Sequence, residues 1–257
     1  MSSVDPSGAS SAGVPPAPPD WQAAQAAEQN RLLRALPPAA YAQLAPYLES
    51  IAIKAGQVLW PADRPIHGVY FPRTAVVSLL TMLDDDAPVE SATVGREGVV
   101  GVPVVHGVAE THTQALAQID GLAARVDTDR FRAWLAAADG ALPVLLRYAQ
   151  ALLEQTAQSV ACNRRHAMEE RCARWLLATR DRVGSDQFTL THEFLAQMLG
   201  TRRASVTVAA GMLQHAGLLR YTRGRVTILD AARLEEASCE CYHIVRDQHA
   251  RLLGYVL

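Results

Sequence analysis

The sequence predicts an α+β chain: a strand-rich front part, a long central helix and a helical back part that ends around a small hairpin. Three observations predict it. Short β-type runs recur at near-regular spacing between Ile51 and Val126, the pattern of a sandwich or barrel. Residues 142–162 then repeat Leu145, Ala149, Leu152, Thr156 and Ser159 in steps of four and three, the period of an α-helix with a narrow seam. Finally, two short helical patterns meet at Gly200 and are followed by an alternating hairpin, which is the layout of a winged helix-turn-helix.

Composition sets the limits. The 257 residues are 49% apolar and 19% charged, enough for one large or two modest cores. The net charge of −2 hides an asymmetry: residues 1–163 carry 10 basic and 16 acidic side chains, and residues 164–257 carry 14 and 10. Two domains with different partners are expected. Every basic residue except Lys54 is Arg, which reads mainly as genomic base composition. Of the four Cys, none form a C-x-x-C pair, so neither a disulfide framework nor a zinc motif is expected, and reduced thiols point to the cytoplasm. Cys239 and Cys241 stand two apart on an expected helix; they should point in different directions and chelate poorly. Residues 1–24 read as a disordered tail rich in Ser, Pro, Gly and Ala, without the charged and apolar regions of a signal peptide. No run reaches the ~18 apolar residues of a membrane span.

In chain order, residues 26–49 read as helices broken at Pro37-Pro38, with Leu32, Leu33 and Leu36 on one apolar stripe and Tyr41, Leu44 and Leu48 on another. Strands are expected at 51–53, 57–60, 69–71, 76–83, from Val89 through 92–94, and at 115–119 and 124–126, with a hairpin turn at Asp84, Asp85 and Asp86. Thr128 reads as a helix N-cap, Phe131, Trp134 and Leu135 as the buried face, and Gly140 as the stop. The seam of residues 142–162 fits either a helix lying on its own β domain or a dimer helix; the dimer is the preferred reading. A further helix over 164–182 buries Trp175, Leu176 and Leu177. A closing helix is expected from Ala231 to about Leu253.

The chemistry concentrates in residues 194–229, which hold five Arg and no Asp or Glu. Val206, Ala210 and Leu213 fall at i, i+4 and i+7 and should pack on Leu195 and Leu199. That packing leaves Thr201, Arg202, Arg203, Ser205 and Thr207 around the free N-terminal end of the second helix. Helix N-termini attract phosphate, and an Arg beside one can grip guanine O6 and N7 with two hydrogen bonds. Arg223 and Arg225 flank Gly224 at the hairpin tip, where they can reach a sugar-phosphate backbone. A solvated basic face on a helical hairpin is the plainer alternative. The wing, the acid-free window and the long helix together favour double-stranded DNA as the partner.

These motifs resemble the Crp/Fnr superfamily of bacterial transcription regulators. The resemblance runs over about residues 27–250 and rests on Leu190-Thr191-His192-Glu193-Phe194-Leu195-Ala196, Gly200-Thr201-Arg202-Arg203, Gly217-Leu218-Leu219, Arg223-Gly224, Asp230, Leu234-Glu235 and Cys239-Glu240-Cys241-Tyr242. It implies a cyclic-nucleotide-binding-type β-roll (residues 25–140), a dimerisation helix (141–163) and a winged helix-turn-helix domain (164–257). It also implies a homodimer on a palindromic operator, with RNA polymerase as a candidate further partner. By the same resemblance Arg203 takes the base-reading position and Ser205 a phosphate-contacting one. Ala204 and Val208 depart from the family's Glu and Arg, so its best-known target sequences need not apply; their apolar groups could touch a thymine methyl instead.

The sensor half is less explicit. The family's cyclic-phosphate site uses a Gly-Glu turn and a later Arg, and the comparable positions here hold Val102 and His112. Cyclic AMP is therefore not expected. A shifted register would draw on Arg96, Glu97, Gly101, His112 and Thr113 as an effector pocket, which keeps a cyclic-nucleotide-responsive regulator open as an alternative. No Cys precedes Cys162, which excludes the family's N-terminal iron–sulfur cluster. His67, His106 and His112 are the candidate haem ligands, and haem is not expected. No cofactor is predicted. An enzyme is a rival only as a cupin-like metal site at Glu110-Thr111-His112, and a module of this fold with a dead reading head is another; the preferred reading is a non-enzymatic regulator.

Overall fold

The computed structural model describes residues 20–83, 88–255 and 257. Most of the expected tail, residues 1–19, and the turn at Asp84, Asp85 and Asp86 lie outside the described residues. Residues 21–24, expected in that tail, open the first helix, α1 (Trp21–Ala26). Helices α2 (Arg31–Ala35) and α3 (Pro38–Leu44) follow. They bury Leu32, Leu33, Leu36, Tyr41 and Leu44. Asn30 caps α2 by accepting the Leu33 N–H, and its amide donates to the carbonyls of Pro72 and Gly98. That tether ties the helices to the sheets.

The strands are β1 (Glu49–Ile53), β2 (Val58–Trp60), β3 (Arg64–Pro65), β4 (Gly68–Pro72), β5 (Val76–Thr81) and β6 (Val89–Val94). After helix α4 (Val102–Val105) come β7 (Glu110–Thr111), β8 (Thr113–Ile119) and β9 (Gly121–Asp127). All pairings are antiparallel: one sheet runs β1-β9-β4, another β2-β8-β5-β6, and β3 pairs β7. Apolar residues of both sheets face a shared core. The β3–β7 pair and α4 are additions to the sequence expectation; each is too short for periodicity to show.

Helix α5 (Thr128–Ala137) begins one residue earlier than expected, because Asp127 is its cap, accepting from the N–H groups of Asp129 and Arg130. The Thr128 hydroxyl donates instead to the Ile66 carbonyl. Gly140 does not stop α5 but sits at the N-cap of α6 (Ala141–Arg165), with a positive φ of 73°.

Helix α6 corrects one expectation. Leu145, Ala149 and Leu152 are buried within the chain itself, and Thr156 and Ser159 are half-buried. The predicted seam therefore packs on the helix's own domain. A different stripe is left outside: Leu142, Leu146, Leu153 and Val160 are between 41% and 68% exposed. Leu146, Leu153 and Val160 recur every seven residues, a spacing that keeps them on one face.

The back half comprises α7 (Met168–Val183), β10 (Gln187–Thr189), α8 (His192–Met198), α9 (Arg203–His215), β11 (Leu219–Thr222), β12 (Arg225–Ile228), α10 (Ala231–Glu236) and α11 (Cys241–Leu253). Strands β10-β12-β11 form the small sheet. The expected closing helix is thus interrupted between α10 and α11. Cys239 lies in that break, so it and Cys241 do not diverge along one helix as expected. Instead their sulfurs converge with Cys162.

The two halves share a core in which Val76, Leu80 and Ile119 of the front pack with Trp175, Leu176, Leu199 and Leu213 of the back. At its edge lies a buried ion pair, Glu97 to Arg182 at 2.8 Å, with side-chain exposures of 1% and 2%. The Arg182 guanidinium also donates to Gln155 of α6 and to the Ala178 carbonyl. Front domain, central helix and α7 are joined at one point.

Candidate nucleic-acid interface

The helix-turn-helix is built by local chemistry. Thr191 caps α8 by accepting the Phe194 N–H at 3.1 Å. The chain turns through Gly200 at φ 58°, a left-handed conformation that glycine adopts at little cost. Arg171, buried in α7, donates to the Leu199 carbonyl at 2.6 Å and so satisfies the end of α8. Leu195, Ala196 and Leu199 then receive Val206, Ala209 and Leu213, all at most 4% exposed.

This packing decides what α9 presents. Arg202 is its N-cap, with extended backbone and no capping side-chain bond, so no side chain caps the first turn; the Ser205 N–H turns back to the Arg202 carbonyl. Arg202, Arg203, Ala204, Thr207, Val208, Gly211 and Met212 are exposed, and Ser205 is half-buried. Arg203 stands 3.8 Å from Glu193, both well exposed; a contact so solvated holds the arginine only loosely. Thr207 is less free than expected: its hydroxyl donates to the Arg203 carbonyl and lies 3.1 Å from His192 Nδ1.

The wing is a tight hairpin whose two tip residues, Arg223 and Gly224, have φ of 49° and 78°. Successive positive φ values match a type I′ turn, which favours Asn or Gly at its first central position. An arginine held in that conformation is strained by about 1–3 kcal/mol. The tip is pinned by a hydrogen bond from the Leu190 N–H to the Gly224 carbonyl at 2.7 Å. The Tyr221 hydroxyl donates to the Leu190 carbonyl. Arg220, Arg223 and Arg225 are exposed.

Between α9 and the wing lies a groove lined by His192, Arg203, Thr207, Gln214, Tyr221 and Arg223. His192 and Tyr221 were missed by the sequence reading. His192 packs edge-on to Tyr221 at 4.3 Å. Burial, and then the charge of Arg203, hold its pKa below the usual histidine value, so it is a neutral hydrogen-bonding group at pH 7. A signal was available: Tyr221 shares the inward alternation of β11 with the buried Leu219.

The expected effector residues do not converge. Glu97 is consumed by Arg182 and by the Gly95 N–H, and Arg96 donates to the Asp181 carbonyl. Gly101 caps α4. His112 is exposed and 2.9 Å from Asp63, while the Thr113 hydroxyl meets Thr111. The turn itself is filled from α6: a Cβ at Gly98 would collide with the Tyr148 ring. His67 and His106 are exposed on separate loops. Among the described residues no set of three or more Cys, His, Asp or Glu ligands gathers at Glu110 and His112.

Comparison with known proteins agrees with this geometry. The family model of the Crp-like helix-turn-helix domain matches residues 170–237. A transcriptional regulator of the CRP family from Thermus thermophilus superposes with a TM-score of 0.62 at 20% identity, over 73% of this chain and 96% of that one. FixK2 from Bradyrhizobium japonicum gives 0.64 at 18%, over 75% and 98%. The c-di-GMP responsive global regulator CLP of Xanthomonas campestris gives 0.58 at 15%, over 71% and 94%. A sequence comparison with curated proteins finds no match. At these identities the structural likeness establishes the fold. Residues 170–237 match the Crp-like helix-turn-helix model, and the chain shares the fold of the Crp/Fnr structures: a β-rich front domain, a long helix and a winged helix-turn-helix. Among the described residues no helix is long and apolar enough to cross a membrane.

Proposed function

We propose that this chain is a sequence-specific, cytoplasmic transcription regulator that binds double-stranded DNA as a homodimer on a palindromic operator. The observation that carries the reading is the exposed arginine surface: Arg202 and Arg203 at the start of α9, Arg223 and Arg225 beside it on the wing. Arg203 reads a base edge, Thr201, Arg202, Ser205 and Thr207 position the helix end, and Arg223 and Arg225 hold the flanking backbone. The exposed stripe Leu142, Leu146, Leu153 and Val160 supports pairing of α6 with its counterpart, which sets two reading heads about one helical turn apart. RNA polymerase is the natural further partner of such a dimer.

The β-roll serves as a sensor without enzymatic activity. Its Glu97 and Arg96 are engaged by α7 rather than presented to a ligand, which favours an effector other than cyclic AMP. A signal there would act through the Glu97–Arg182–Gln155 junction on α6 and the reading head together. Selection of bound duplexes from a randomised pool tests the reading: an inverted repeat should emerge, and recovery of no enriched sequence would overturn it.

A further inference from the structure

We propose that Cys162, His166, Cys239 and Cys241 form a binding site for one tetrahedral divalent ion of the zinc class, which clamps the C-terminal tail onto the end of α6. The four ligand atoms lie within 4.8 Å of one another. The Cys162 and Cys239 sulfurs are 3.5 Å apart, and the Cys241 sulfur is 3.5 Å from His166 Nδ1. A tetrahedral zinc with Zn–S bonds of ~2.3 Å holds its sulfurs ~3.8 Å apart. The separation is too long for a disulfide, whose S–S bond is ~2.05 Å. It is also tight for a polynuclear cluster, in which several metal atoms stand between the ligands.

Each ligand arrives by a distinct piece of local structure. Cys162 sits in the last turn of α6, and His166 is that helix's C-cap, four residues on and so on the same face. Cys239 occupies the break between α10 and α11, and Cys241 is the first residue of α11. The break is what turns an x-spaced pair into two convergent donors.

The surroundings match a metal site better than ordinary packing. Cys162, Cys239 and Cys241 make a small cluster of their own, apart from the apolar cores. Cys172 is the internal contrast: it is buried among Trp175, Leu176 and Leu213. His166 offers Nδ1 to the sulfurs while its Nε2 lies 3.1 Å from the Glu240 carboxylate. A carboxylate behind a ligating histidine fixes the tautomer a metal needs. The Gln158 amide donates to the Cys241 sulfur at 3.0 Å. Three thiolates and one divalent ion carry a net negative charge; Arg174 lies close enough to act electrostatically on Cys162, and its buried Nε has no hydrogen-bond partner among the described residues. A Cys₃His set of this kind is a closed, structural site. It would fix the base of the reading head to the central helix, a role separate from DNA contact.

The test uses the full-length protein purified under reducing conditions without chelator. Elemental analysis should find one zinc per chain. Cobalt added to metal-free wild-type protein should give the intense visible absorption of tetrahedral cobalt, with a near-ultraviolet sulfur-to-cobalt band of three-thiolate strength. Cys239→Ser should remove about a third of that band or abolish binding, while Cys172→Ser leaves stoichiometry and spectrum unchanged. Chelator should lower the wild-type melting temperature by more than that of Cys239→Ser. The proposal is overturned if reduced wild-type protein takes up neither metal, if the cobalt spectrum is octahedral, or if Cys172→Ser removes the signal as Cys239→Ser does. The wild-type cobalt titration decides the matter even where a variant fails to fold.

Discussion

Arg182 and Arg203 are the same side chain in the same half of the molecule, set to opposite uses. Arg182 sits in the last turn of α7, 2% exposed, with its guanidinium divided among Glu97, Gln155 and the Ala178 carbonyl. Arg203 stands in solvent at the start of α9, 3.8 Å from a Glu193 that water screens. A charge taken out of water must be fully partnered or it destabilises the fold. A charge kept in water costs the fold almost nothing and remains free for a polyanion. The number of arginines in the back half therefore says little; their burial separates those that hold the domains together from those we propose to grip DNA.

The largest test of this contrast is Arg182→Ala. It leaves Glu97 buried and unpaired, and denaturant unfolding should show a loss of about 3–5 kcal/mol. Arg182→Met with Glu97→Gln should recover much of that loss, because no charge is stranded. A loss below about 1 kcal/mol for the single variant would dissolve the contrast. Next comes Arg203→Ala, which should leave unfolding unchanged and cost about 1–3 kcal/mol of discrimination at one base position. Equal weakening on every sequence would move Arg203 to the backbone-contacting class.

Arg223→Gly sharpens the comparison by separating stability from function. Glycine relieves the positive φ at the wing tip, offset in part by its own entropy cost, so stability should rise by up to about 1 kcal/mol. DNA affinity should nevertheless fall across all sequences, with the salt slope reduced by about 1. A variant that is both less stable and normal in binding would remove the wing from the interface.

The smallest effect is a tilt with pH. Burial raises the Glu90 pKa, against hydrogen bonds from Ser78 and Trp175. The Ser78 hydroxyl is 2.6 Å from Glu90 and 3.0 Å from the Gln118 carbonyl oxygen, yet it has one proton to give. A protonated Glu90 donates to Ser78 and frees that proton for Gln118. With the folded-state pKa raised, the stabilisation is complete below the unfolded value and is lost as pH rises through the folded one. Melting temperatures should therefore fall more in wild type than in Glu90→Gln as pH rises from the ordinary carboxylate range. Parallel curves would place Glu90 outside the titration.

What the sequence showed followed from the distance over which each feature is assembled. The reading head was legible because its parts are local: a Gly200 turn, apolar residues at helical spacing, and a hairpin that alternates around Gly224. The junction was not, because Glu97 and Arg182 are 85 residues apart and neither side chain announces burial. The metal-ligand cluster failed for the same reason together with a wrong local premise: an unbroken helix from Ala231 would have splayed Cys239 and Cys241, and Cys162 lies 77 residues from Cys239. On α6, periodicity found a real buried face but could not say whose surface buried it. Leu145, Ala149 and Leu152 pack on their own chain, and Leu146, Leu153 and Val160 face outward.

We propose that the exposed arginines, and not the buried ones, grip nucleic acid. The decisive measurement is the affinity of wild-type protein for duplex DNA across a salt series, beside the double variant Arg203→Ala with Arg223→Ala. Wild type should bind tightly and with steep salt dependence, and the double variant, of unchanged stability, should show a flatter slope and no sequence preference. Wild-type protein indifferent to duplex DNA at low ionic strength, or a double variant that binds as wild type does, would contradict the proposal.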